Sequence, residues 1–108
     1  MAGRSTKMRF ISNYEEFGAK NGISVKEHIS EECIHEKDMI LSYLKKGRYD
    51  GVACGSIFDY IRGESKLKTI KLFTDGIYDW TDEEIYHFEK YNMELDPEFI
   101  KYVKEKNQ

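Results

Sequence analysis

Hydrophobic and polar positions alternate along Leu67–Phe73 and again from Ile77 to Trp80, and then recur at helical spacing from Ile85 onward. The first pattern predicts two strands, and Asp75-Gly76 between them suits the positive φ angles of a two-residue hairpin turn. That turn sets Phe73 opposite Tyr78 and Lys71 opposite Trp80. Those four residues share one face, and Ile70, Leu72 and Ile77 share the other. Thr81 and Glu84 have the spacing of a capping box, opening a helix that carries Ile85, Phe88 and Tyr91 inward. Asp96 caps a last helix with Pro97 at its first position, and Leu95 and Ile100 are spaced as a hydrophobic staple.

Upstream the pattern is weaker. Met8–Ile11 suits a short strand or an extended arm. Ser12 with Glu15, and Ser24 with Glu27, have capping-box spacing, and Asn21-Gly22 suits the close of a short helix. Ser30 offers an N-cap for a longer helix over about Glu31–Lys46, with Cys33, Ile34, Ile40, Leu41 and Leu44 on one stripe and Gly47 just past its end. Lys37 interrupts the stripe, its head group reaching to water. Arg48–Ser56 reads as loop, Ile57–Ile61 as a strand, and Gly63–Lys66 as the turn into the hairpin. The predicted fold is α+β: a small three-stranded antiparallel meander with several helices packed on it.

Length and composition add bounds. The 108 residues suit a single domain, with residues 1–7 expected to be flexible, and 34% of residues are charged for a net charge of −3. Two cysteines make no disulfide framework, no apolar run has the length to span a bilayer, and the start lacks the apolar segment of a secretory signal. These point to a cytoplasmic setting.

Candidate chemistry is sparse. His28, Glu32 and His35 would share one face of an unbroken helix and are zinc-ligand types, but Ser30 interrupts the helix and a fourth ligand is missing, so a solvated polar face is the better reading. Cys54 beside Gly55 could expose a thiol, yet the histidines make no recognisable pairing motif with it. Cys33 reads as a small core residue. Asp75 and Asp79 flank the turn, with Asp82, Glu83 and Glu84 beyond, but turn formation and the helix N-terminus account for most of them. There is no phosphate loop. Arg62, Lys66, Lys68 and Lys71 gather around the second strand, but Lys68 and Lys71 alternate with apolar residues as edge-strand solvation requires, so neither a cofactor nor nucleic acid is implied.

Charge is unevenly placed. From Asp75 to Glu98 there are nine acidic residues against one lysine, Lys90. Helix capping explains about half of these, and the others surround Tyr78 and Trp80 in a surface complementary to a basic protein. Trp80 itself, with a helix starting beside it, is expected to be buried.

Tyr43-Leu44 with Gly47, Asp59, Thr74-Asp75-Gly76-x-Tyr78-x-Trp80, Tyr86-x-x-Glu89-x-Tyr91 and Leu95-x-Pro97-x-Phe99 together resemble a family of small bacterial proteins with a T-D-G-x-[YW]-x-W core. These are similar to immunity-type proteins of polymorphic and contact-dependent toxin systems. The family's proline after the tryptophan is Thr81 here, which changes the capping of the next helix. The resemblance spans about residues 40–103. It implies a cytosolic, non-catalytic protein that neutralises a toxin domain, a nuclease among the candidates. The expected docking residues are Asp75, Tyr78, Asp79, Trp80, Asp82, Glu83 and Glu84. The alternative is a small enzyme using Cys54 or the acids near the hairpin.

Overall fold

A computed structural model describes residues 9–106; the flexible start expected at 1–7 lies outside them. The element order is β1 (Arg9–Phe10), two 3-10 turns (Glu15–Phe17 and Val25–Glu27), α1 (Lys37–Lys45), β2 (Arg48–Asp59), β3 (Glu64–Thr74), β4 (Tyr78–Thr81), α2 (Asp82–Tyr91) and α3 (Pro97–Lys106). The fold is α+β, as expected. The sheet, however, has four strands in the order β1-β4-β3-β2 and is mixed, because β1 runs parallel to β4. The three-stranded antiparallel meander is corrected in this respect.

The β3–β4 hairpin forms with a wider turn than the two-residue one. Asp75 Oδ1 accepts from the amides of both Ile77 and Tyr78, at 2.9 and 2.7 Å, and Gly76 takes φ +98°. This side-chain-built turn holds three residues between the strands. Phe73 therefore pairs with Trp80 rather than Tyr78, and Leu72 with Thr81. The slip is by two residues, an even number, so the predicted division of faces is unchanged. Lys71 faces Asp82, whose carboxylate accepts its amide at 2.9 Å.

Arg48–Ser56 is strand, not loop. Irregularities in the β2–β3 register between Tyr49 and Gly51 and between Val52 and Ser56 break the alternation, and Gly51 and Gly55 take positive φ there. Bulges of this kind erase the period-two signal that identifies a strand.

The N-terminal third departs most from local expectation. Ser12 caps nothing: its hydroxyl donates to Glu84 Oε2 at 2.6 Å, and the first 3-10 turn starts after Tyr14 without a side-chain cap. Ser24 does cap, but through the amide of Lys26. The long helix begins at Lys37 and not at Glu31, and Cys33 and Ile34 are exposed rather than core. Its expected first turns are held elsewhere. The Ser30 amide donates to the Tyr91 carbonyl at 3.1 Å, and Asn92 donates to the Ser30 carbonyl at 2.9 Å. Long-range hydrogen bonds thus override the local helix signal.

The core sits between the Trp80 face of the sheet and the three α-helices. Trp80, Phe88, Phe99, Ile11, Ile40, Leu44 and Met93 are the largest of its fully buried apolar members. The Thr81–Glu84 capping box is complete, with both reciprocal bonds. Asp96 caps the amide of Glu98 at the start of α3 at 2.9 Å.

Candidate functional site

Two aspartates of the resembling motif prove to be fold elements built on one plan. Asp59 Oδ1 accepts from the amides of Ile61 and Arg62, while its Oδ2 accepts from Tyr86 and Tyr91, both at 2.6 Å. Asp75 Oδ1 takes the two turn amides, and its Oδ2 accepts from Tyr43 and, at 3.0 Å, from Tyr102. In each case one oxygen fixes a turn and the other draws in two phenols from distant elements. Desolvation pushes both carboxyls upward, but the phenol and amide donors outweigh it and hold them below the ordinary range.

Trp80 is likewise internal, 2% exposed, with its indole N–H donating to the Leu44 carbonyl at 3.2 Å. Tyr78 packs edge-on against Phe99, centroids 4.8 Å apart. Neither offers an exposed aromatic anchor. These motif residues therefore hold the fold.

A cleft of about 630 Å³ lies between the segment Ser12–Ala19, the sheet and the start of α2. Of the expected docking residues, Asp79, Trp80, Glu83 and Glu84 border it, whereas Asp75, Tyr78 and Asp82 do not. Sequence reading missed Glu16 and Asp50. They arrive from segments far apart in the chain and carry no local signal. Cys54 stands exposed at the same cleft.

The cleft's acids are held differently. Glu84 is enclosed: Oε2 accepts from Ser12, and Oε1 accepts the Thr81 amide at 3.0 Å. Burial pushes its carboxyl up to about 7, the hydrogen bonds opposing. Glu83 reaches across to the outer edge of β2, where Oε2 accepts the Phe58 amide at 2.9 Å. Desolvation raises its pKa, and the charge of Asp82 adds to the rise.

One helical turn on, His87 Nε2 accepts the Tyr60 amide at 3.1 Å, which leaves Nδ1–H to donate to the Glu83 carbonyl. The imidazole is thus neutral, and burial lowers its pKa. Residues four apart on a helix advance about 6 Å and residues two apart on a strand about 6.6 Å. Glu83 and His87 thus accept the amides of Phe58, near the end of β2, and of Tyr60, the first residue beyond it, so α2 covers this end of the sheet edge.

No helix among the described residues is long and apolar enough to cross a membrane. No cluster of three or more His, Cys, Asp or Glu among them could hold a metal ion. The helix that would align His28, Glu32 and His35 is not formed, and His28 instead faces Glu94 at 3.2 Å. No family model, curated protein or solved structure matches the chain.

Proposed function

We propose that this chain is a protein-binding module without catalytic activity, an immunity-type protein that neutralises a basic toxin domain. The observation that carries the reading is the charge of the cleft. Its described lining includes five acidic side chains, those of Glu16, Asp50, Asp79, Glu83 and Glu84, of which Glu84 is enclosed with both oxygens hydrogen-bonded, and no lysine, arginine or histidine. A desolvated acidic surface attracts a basic partner and repels acidic ones. The sequence resemblance supports the same reading. The docking face is the cleft and its rim; of the aromatic docking residues first expected, Tyr78 lies away from it, and Trp80, buried as expected, borders it from inside the core. Co-expression with the toxin domain encoded by an adjacent reading frame tests the proposal. The two should co-purify, the toxin should be silenced, and association should slow steeply with added salt. A neighbouring toxin neither bound nor silenced would overturn it.

A second reading is a small enzyme, favoured by one observation: Cys54 lines the same cleft as Glu83 and Glu84. Alkylation of Cys54 at the rate of a free model thiol would leave that reading without a nucleophile.

A further inference from the structure

We infer that the cleft receives one arginine side chain of the partner, paired with Glu83 and stacked on the cleft's aromatic wall. This rests on the protein-binding reading above. Glu83 is 7% exposed, yet only Oε2 has a hydrogen-bond partner among the described residues. Oε1 has none, and it is not a sealed orphan, since among the described residues no fully buried side-chain oxygen goes unpartnered. It therefore keeps an opening while the side chain borders the cleft. A largely buried carboxylate with one oxygen unpaired and still open is well placed to accept a charge-assisted donor from a ligand.

Arginine fits better than lysine for two reasons. Its guanidinium is less strongly hydrated than an ammonium, so desolvating it beside a buried carboxylate costs less. It is also planar and stacks on aromatic rings. Phe17 and Tyr60 border the cleft with centroids 5.9 Å apart in an edge-to-face arrangement, and both are half-buried. Asp50 and Asp79 add negative charge, and the Asp79 carboxylate makes no hydrogen bond among the described residues. The 630 Å³ leaves room for the backbone on either side of an inserted residue.

The test titrates the full chain with N-acetyl-arginine amide, following the backbone amides of Phe58 and Tyr60 by NMR. Blocked citrulline serves as the neutral isostere and blocked lysine as the competing cation. Saturable shifts are expected with arginine at roughly millimolar affinity. Lysine should bind at least fivefold more weakly, and citrulline should not saturate. Glu83→Gln should weaken arginine binding more than tenfold. Should that variant unfold, Asp79→Asn, which removes charge without removing a hydrogen bond of the fold, should weaken it severalfold. Equal binding of citrulline, or arginine binding indifferent to both substitutions, overturns the inference. A toxin domain captured equally well by wild type and Glu83→Gln overturns it too, but leaves the protein-binding reading standing. Arginine binding with the stated pattern, but no toxin capture, upholds the cleft's preference and removes the wider reading.

Discussion

The indole of Trp80 occupies the space that a side chain on Gly47 would need: a Cβ on residue 47 would overlap Trp80 Cζ2 and stand 3.1 Å from Cε2. Gly47 is not among the residues with positive φ, so the close approach of the indole is what requires glycine there, not backbone conformation. The connection from α1 to β2 can pass so near the sheet only at a residue without a side chain. Just before it, the Leu44 carbonyl receives the indole N–H.

Gly47→Ala is accordingly expected to destabilise the fold by about 1–3 kcal/mol through overpacking, and Trp80→Ala by about 3–5 kcal/mol through cavity formation. Because both act on one contact, the double substitution should cost less than the sum. Urea midpoints measure all three. Additive losses would show the two residues to be independent. Native Trp80 fluorescence should be blue-shifted and move red on unfolding.

The paired aspartate clamps predict matched losses. Tyr91→Phe at Asp59 and Tyr102→Phe at Asp75 each remove one donor to a carboxylate, at about 1–3 kcal/mol. Asp59 is fully buried and should be the less forgiving of the two. Thermal unfolding of the single variants checks this. A Tyr91→Phe protein as stable as wild type would mean that the second phenol carries no net stabilisation.

Glu84 gives stability an unusual pH dependence. Its carboxyl is raised to about 7 in the folded chain against 4.5 in the unfolded one. Its contribution is therefore fully present below about 4.5 and is lost as pH rises to about 7, with an upper magnitude on the order of 3 kcal/mol. His87, lowered by burial, works the other way and costs stability as pH falls below its ordinary 6.5. Glu84→Gln should flatten the loss between about pH 4.5 and 7. An unchanged profile in that variant would place the titration elsewhere.

Replacing His87 by phenylalanine keeps the aromatic volume but leaves the Tyr60 amide unpaired at the β2 edge. The expected cost is about 1–3 kcal/mol. Hydrogen exchange should accelerate at Tyr60 and much less at Phe58, whose acceptor is Glu83.

Leu67 lies in β3 at φ +56° with its side chain 86% exposed, a conformation that suits glycine and asparagine. Leu67→Gly should therefore be neutral or stabilising, by up to about 1 kcal/mol, despite the flexibility glycine adds to the unfolded chain. A loss of stability larger than that, in urea unfolding, would show that the leucine makes contacts that offset its strain.

Local chemistry was sufficient for the C-terminal half. The Thr81–Glu84 box, the Asp96 cap and the division of hairpin faces involve residues within a few positions of one another, so their spacing alone determined them. The same locality placed Trp80 in the core, since a helix starting beside it must cover the face it occupies. Elsewhere the deciding partner is remote. The Ser12 hydroxyl chose Glu84 over a nearby cap, and Ser30 was drawn to Tyr91 and Asn92, so the helix expected from Glu31 starts at Lys37. The bulges at Gly51 and Gly55 concealed Arg48–Ser56, most of β2. Asp59 and Asp75 stood out in the sequence as members of a pattern, but only folding revealed what they hold. The cleft is wholly tertiary: Glu16, Asp50 and Glu83 meet because three distant segments converge, and no spacing along the chain encodes that meeting.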